Sequence, residues 1–217
     1  NADLPVRAAS ALVMVAVAGL AFWLGSIWLD LFIAGVVVAT LVEFVLLVLK
    51  ATQRQGARLA AITAGAIYIG LAGYALMSFP LIVVIGVIGA VVFVDTFAYF
   101  FGRTIGGPKI APAISPSKTW TGLLGGTVGA TIWVFGILFF VASVDGPEWS
   151  GRLQDWLQLI GIGAAIAVAA QAGDFLESWI KRKAGVKDSS NLIPGHGGVF
   201  DRTDGIIPVA LLAAATF

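Results

Sequence analysis

The chain has 217 residues, 59% hydrophobic and only 12% charged, with a net charge of +1 and no cysteine; its mean hydropathy is +0.98. Soluble domains carry about 25% charged residues, so an ordinary soluble domain is excluded. The missing cysteine rules out a disulfide frame, a thiolate nucleophile and a thiolate metal site. Basic residues confined to short loops argue against a nucleic-acid binder.

Several apolar runs reach about 20 residues, enough to cross roughly 30 Å of hydrocarbon. They lack the alternation of a membrane barrel. The expected fold is an all-α polytopic integral membrane protein with about seven transmembrane helices and polar cytoplasmic loops. Asn1–Arg7 reads as a polar lead-in, and the absence of a first methionine suggests that something was removed. The first run lacks the cleavage site of a signal peptide. Helices are expected at about Ala8–Ile27 and Leu31–Leu49, joined by a turn near Trp28–Asp30, with Trp23 and Trp28 as interfacial anchors. A basic loop follows at Lys50–Arg58, then helices at about Leu59–Ser78 and Pro80–Phe101. A polar island at Gly102–Gly122 precedes a helix at Leu123–Val144, whose glycines permit close packing or a dimer face. Trp149 and Trp156 flank an acidic loop at Asp145–Asp155, and a helix at Leu157–Ile180 leads into the long polar stretch that ends at Asp204. The last apolar segment, Gly205–Phe217, is too short to span, so the seventh crossing is expected to be incomplete. With these helices, every one of the 13 lysines and arginines except Arg152 falls on one side. The positive-inside rule makes that side cytoplasmic, together with both polar islands.

Acids inside apolar helices usually mark a pathway or a site. Glu43 is read as an interhelical hydrogen bond or a partner for a base such as Arg54. Asp95 shares a helix face with Tyr99 and Arg103, where it either steadies a base of the island or joins a polar cavity. Asp174, Glu177, Ser178 and Lys181 recur at helical spacing and form one polar stripe, with Arg182 beside it. Asp201 and Asp204 add carboxylates after a loop rich in glycine, and such oxygens suit a hard cation. His196, in PGHGG, is the sole imidazole; it is read as a phosphate or base contact, or as part of a simple tight turn. The island has no Walker motif. Ser115, Ser117, Lys118 and Thr119 nevertheless place hydroxyls and an ammonium just before a helix, where a polyphosphate can bind.

The stretch SWIKRKAGVKDSSNLIPGHGGVFDRTD resembles the carboxy-terminal signature of the phosphatidate cytidylyltransferases. Ser178, Lys181, Arg182, Lys187, Asp188, Pro194, His196, Gly197, Gly198, Asp201, Arg202 and Asp204 carry the match. Gly173, Asp174, Glu177 and Ser178 match the family's upstream acidic motif, and Asp95–Arg103 and Ser115–Gly122 resemble two earlier ones. Residues 1–94 share only an apolar character and read as scaffold; 95–217 reads as the catalytic region, with loops 102–122 and 181–204.

The resemblance implies a magnesium-dependent nucleotidyltransferase that makes CDP-diacylglycerol and pyrophosphate from CTP and phosphatidic acid. Asp174 and Asp201 become the first-choice metal ligands, with Asp204 and Glu177 in support and with or without a second cation. Ser115, Lys118 and Thr119 are candidates for the CTP phosphates. Lys181, Arg182, Lys187 and Arg202 would neutralise the lipid phosphate and pyrophosphate, and His196 would contact a phosphate. A homodimer among membrane lipids, in the bacterial inner membrane with its site facing the cytoplasm, is implied as well. The chain is short for that family, so some family helices are expected to be missing or trimmed. The rival readings are a polyprenol or phytol kinase-like enzyme using CTP or ATP, and an organic-anion transporter.

Overall fold

The computed structural model describes residues 3–145 and 151–216. Asn1, Ala2, Trp149 with the rest of 146–150, and Phe217 lie outside the described residues. The protein is a helical integral membrane protein. Among the described residues, 6 helices are long and apolar enough to cross a bilayer. They are α1 (Asp3–Leu24), α2 (Ser26–Ala51), α3 (Gln55–Ser78), α4 (Leu81–Thr104), α5 (Trp120–Asp145) and α6 (Leu153–Lys183). Two strands, β1 (Lys109–Ala111) and β2 (Ser115–Thr119), lie between α4 and α5 in sequence; short helices α7 (Phe200–Thr203) and α8 (Ile206–Ala214) come last. α8 has only 9 residues, too few to span, so the described residues contain no seventh crossing.

Several boundaries differ from the sequence reading: α3 starts at Gln55, inside the expected basic loop, α4 runs to Thr104, α5 starts at Trp120, and α6 covers Leu153–Lys183. Helix already begins at Asp3, within the expected lead-in, and the first turn lies at Gly25 while Trp28–Asp30 is inside α2. A single acid such as Asp30 does not interrupt the helical hydrogen-bond ladder. Gly25, with φ 60, does.

The chain divides into two compact units, Asn1–Ser78 with Leu176–Ile207, and Phe79–Phe175 with Pro208–Phe217. These follow packing, whereas the regions 1–94 and 95–217 follow motifs. In the first unit α1 and α3 both pack on α2, as does the short α7. Ala21, Leu29 and Ile33 form a buried patch covered by Phe22, Phe32, Val37 and Leu76. Phe44 of α2 meets Phe200 of α7 edge-on, with ring centroids 5.9 Å apart, a geometry that stabilises by about 1 kcal/mol beyond area burial. Arg58 closes the end of α2 by donating to the carbonyls of Leu49 at 2.9 Å and Thr52 at 2.7 Å. One base of the expected basic loop is thus a helix cap.

In the second unit α4 runs along α5. Gly125 and Gly129 lie against α4 so closely that a Cβ on either would run into backbone carbonyls at Phe97 and Phe93. The glycine stretch of α5 therefore serves packing within one chain. Trp133 donates its Nε1 hydrogen to the Gly86 carbonyl at 3.0 Å, which satisfies the one polar atom of a large apolar ring. The polar island is an antiparallel hairpin that pairs Lys109 with Thr119 and Ala111 with Ser115.

Candidate active site

The second unit pairs an acid with a base. β2 ends where α5 begins, and Thr119 sits at the junction, buried, with its Oγ1 accepting the Gly122 amide at 3.0 Å. That is an N-cap: it satisfies one of the orphan amides of the first helical turn. The residue before it, Lys118, places Nζ 2.8 Å from Asp174 Oδ2 of α6. Both side chains are about one-quarter exposed, at 27% and 24%, so the pair sits at a wet surface. Ser115 is buried on β2, whereas Ser117 is exposed. On α4, Arg103 donates to the Tyr99 hydroxyl at 2.7 Å and stacks over its ring. Asp95 is exposed one turn earlier.

The first unit holds a denser network. Lys181, near the end of α6, places Nζ 2.6 Å from Glu177 Oε2 and 2.6 Å from Asp201 Oδ1. The three side chains are 14%, 2% and 8% exposed, so these pairs are screened far less than surface ones. Oxygens of Glu177 and Asp204 lie within 4.8 Å of each other. Three carboxyl groups thus gather beside one lysine. Glu177 Oε1 is buried without a hydrogen-bond partner, a costly state for a polar atom. An all-oxygen donor set with acid in excess and one unpartnered buried oxygen fits a hard cation such as magnesium. Asp174 lies one turn before Glu177 on the same helix, as the sequence spacing requires.

Asp201 is held differently. Its Oδ2 accepts the amides of Ser189 at 2.9 Å and Gly198 at 2.7 Å, and lies 2.7 Å from Ser189 Oγ. Burial opposes its ionisation, but hydrogen bonding with Glu177, Lys181, Gly198 and Ser189 outweighs that and holds its carboxyl well below the usual carboxylate range. With Lys181 on Oδ1, both oxygens have partners, and a carboxylate oxygen so bonded keeps a second lone pair.

Glu43 organises the loop that carries these groups. Buried in α2, at 4% exposure, it receives donors from a segment far along the chain. Oε1 accepts from Ser190 Oγ at 2.6 Å and the Val199 amide at 3.1 Å. Oε2 accepts from the Phe200 amide at 2.8 Å and lies 2.9 Å from Ser189 Oγ. Ser189 has one proton for two carboxylates, so its hydroxyl couples Glu43 to Asp201. A Cβ on Gly198 would collide with both Ser189 Oγ and Glu43, and Gly197 has φ 82. The glycine pair of PGHGG is thereby explained by close approach and by a left-handed turn. Nearby, the hydroxyls of Thr40 and Thr203 lie 3.1 Å apart.

His196 faces Ser10 of α1, with Nδ1 2.9 Å from Ser10 Oγ. Ser10 Oγ is also 2.8 Å from the Pro194 carbonyl. It lies 3.0 Å from the Arg7 carbonyl as well, and which of Ser10 Oγ and His196 Nδ1 donates to the other depends on the ring's tautomer. Arg202 donates to the His196 carbonyl at 2.8 Å. Arg182, Lys187 and Arg202 are exposed.

Of the residues expected at the site, the first unit gathers Glu177, Lys181, Asp201 and Asp204, and the second pairs Lys118 with Asp174. Sequence reasoning left the roles of Glu43 and Ser10 open or unread. An acid buried in a span was the signal for Glu43; nothing in its own neighbourhood pointed to its partners.

A family model described as the cytidylyltransferase family matches residues 59–217. A protein of Brucella abortus named phosphatidate cytidylyltransferase is 44% identical over 118 residues, which is 54% of this chain and 40% of that protein. Proteins of the same name from Rickettsia bellii and Rickettsia typhi are 44% and 45% identical over 54% of this chain and 49% and 50% of their own lengths. The matched part thus spans half or less of these relatives.

Proposed function

The chain belongs to the cytidylyltransferase family, and from that premise we propose that it is a phosphatidate cytidylyltransferase. CMP passes from CTP to phosphatidic acid, giving CDP-diacylglycerol and pyrophosphate. The observation that carries this reading is the gathering of Glu177, Asp201 and Asp204 beside Lys181 within the family-matched segment.

A phosphate oxygen of the lipid attacks the α-phosphorus of CTP. The bond to the β-phosphoryl oxygen breaks, and its electron pair leaves with pyrophosphate. The attacking oxygen is already anionic, so neither a strong general base nor a covalent enzyme intermediate is needed. The work of the side chains is alignment and charge neutralisation. Lys118 serves the CTP phosphates, with Ser115 and Thr119 shaping that end of the hairpin. Lys181, Arg182, Lys187 and Arg202 neutralise the lipid phosphate and the departing pyrophosphate, and His196 contacts a phosphate by donating a ring N–H. Asp174 and Asp201 would hold magnesium, with Glu177 and Asp204 in support; a second cation is compatible with this number of carboxylates. Bound there, the cation would neutralise charge on the reacting phosphates.

The asymmetry of the basic residues favours a site on the cytoplasmic face of a bacterial inner membrane. CTP then comes from water while the acyl chains stay in lipid. The enzyme acts as a homodimer in this reading. The test is to incubate the purified protein with CTP, phosphatidic acid and magnesium. CDP-diacylglycerol and pyrophosphate should appear in equal amounts, and their absence from well-folded protein would overturn the proposal.

A further inference from the structure

An apolar groove of about 710 Å³ lies in the first unit, between α2, α3 and the end of α6. Its α3 wall is made of small residues, Ala57, Ala61 and Ala64, ending at Tyr68. The opposite rim is Trp179 with Lys183, the charged residue of the lining. Lys183 Nζ sits 5.9 Å over the Trp179 ring, which holds the ammonium at the groove's end. That end is the polar one, where α2 finishes at Ala51, α3 starts and α6 finishes at Lys183. From Ala57 to Tyr68, α3 rises about 16 Å at roughly 1.5 Å per residue. Half of a hydrocarbon core of about 30 Å is nearly the same length. The groove therefore has one leaflet's depth, a smooth oily wall and a cation where a headgroup phosphate would lie.

We propose that this groove seats one long acyl chain of phosphatidate, with Lys183 facing the lipid phosphate; the inference rests on phosphatidate being the acceptor. A neutral or zwitterionic lipid lacks the charge match, and a water-soluble anion has nothing to fill the oily wall. The groove also gives the lipid a fixed register, since a chain pressed along α3 sets the height of its own headgroup. The chain already lies in hydrocarbon in the bilayer, so the groove selects it by packing and not by removing methylenes from water.

The full chain, in phosphatidylcholine vesicles, is irradiated with phosphatidate carrying a photoreactive group midway along one acyl chain. Adducts are expected in 57–68 and 176–183, several-fold above those from the matching phosphatidylcholine probe. Ala61→Trp fills the groove and should abolish that excess. It should also raise KM for dioleoyl phosphatidate severalfold, because the indole takes the space of the chain, with far less effect on the dihexanoyl lipid, whose chains are too short to fill the groove. Leu59→Trp, on an exposed position of α3 outside the lining, controls for bulk and should behave as the unaltered protein. Equal labelling by both lipids, or labelling unaffected by Ala61→Trp, overturns the groove. Selective labelling without any CDP-lipid product supports the groove and overturns cytidylyl transfer instead.

Discussion

Replacing Glu43 by glutamine tests whether a buried acid in α2 holds the signature loop in place. The carboxylate accepts two backbone amides, Val199 and Phe200, and two serine hydroxyls. Glutamine keeps one acceptor oxygen and turns an NH2 toward the other pair of donors. The hydroxyls can rotate, and Ser189 can give its proton to Asp201 instead. One backbone amide cannot escape, and a buried unsatisfied donor costs about 1–3 kcal/mol. The expected loss is therefore about 2 kcal/mol for Glu43→Gln. Glu43→Ala, which strands both amides and leaves a cavity, should cost about 4 kcal/mol. The assay is hydrogen exchange at Val199 and Phe200 in the detergent-purified protein, beside thermal unfolding. Exchange at one of these amides should accelerate roughly 30-fold in Glu43→Gln, the equivalent of about 2 kcal/mol. Turnover should fall more than the folded fraction does, because the loop also carries Asp201. Unchanged exchange and turnover in Glu43→Gln would refute the role given to the carboxylate.

Gly198→Ala should mimic Glu43→Ala, since its Cβ enters the same contact; a double variant no worse than either single, by thermal unfolding, would show the shared network. Thr119→Ala should cost about 1 kcal/mol of stability through loss of the α5 cap, and Thr119→Ser should restore it. Lys118→Met should change stability by less than about 1 kcal/mol, because its pair with Asp174 is partly exposed, yet raise KM for CTP markedly in steady-state assays. Asp174→Asn should lower turnover about 100-fold or more with the thermal transition retained, by the loss of a charge that neutralises the cation; near-normal turnover at saturating magnesium would remove it from the ligand set.

The spanning helices were legible because unbroken apolar runs of that length have few other uses. The acidic stripe on α6 was legible because helical spacing alone aligns Asp174, Glu177 and Lys181. The hairpin was not: SPSKT has no alternation of oily and polar residues, and its pairing with Lys109–Ala111 is a local backbone match between short segments. Thr119 was expected at the CTP phosphates from its neighbours; that it caps α5 follows only from where that helix starts. Glu43 was conspicuous as an acid in a span, but its partners lie well over a hundred residues away. Spacing carries no information about such contacts. Asp201 was legible as an acid near the site, whereas its grip on Lys181, Ser189 and Gly198 required the fold.

The most direct measurement follows which phosphorus of CTP reaches the lipid. The purified protein is given phosphatidic acid, magnesium and CTP labelled either at the α- or at the γ-phosphate. Cytidylyl transfer predicts lipid-soluble label from the α-position alone, with the γ-label recovered in pyrophosphate. Lipid label from the γ-position would mean phosphoryl transfer and contradict the account, and so would no lipid label from either position.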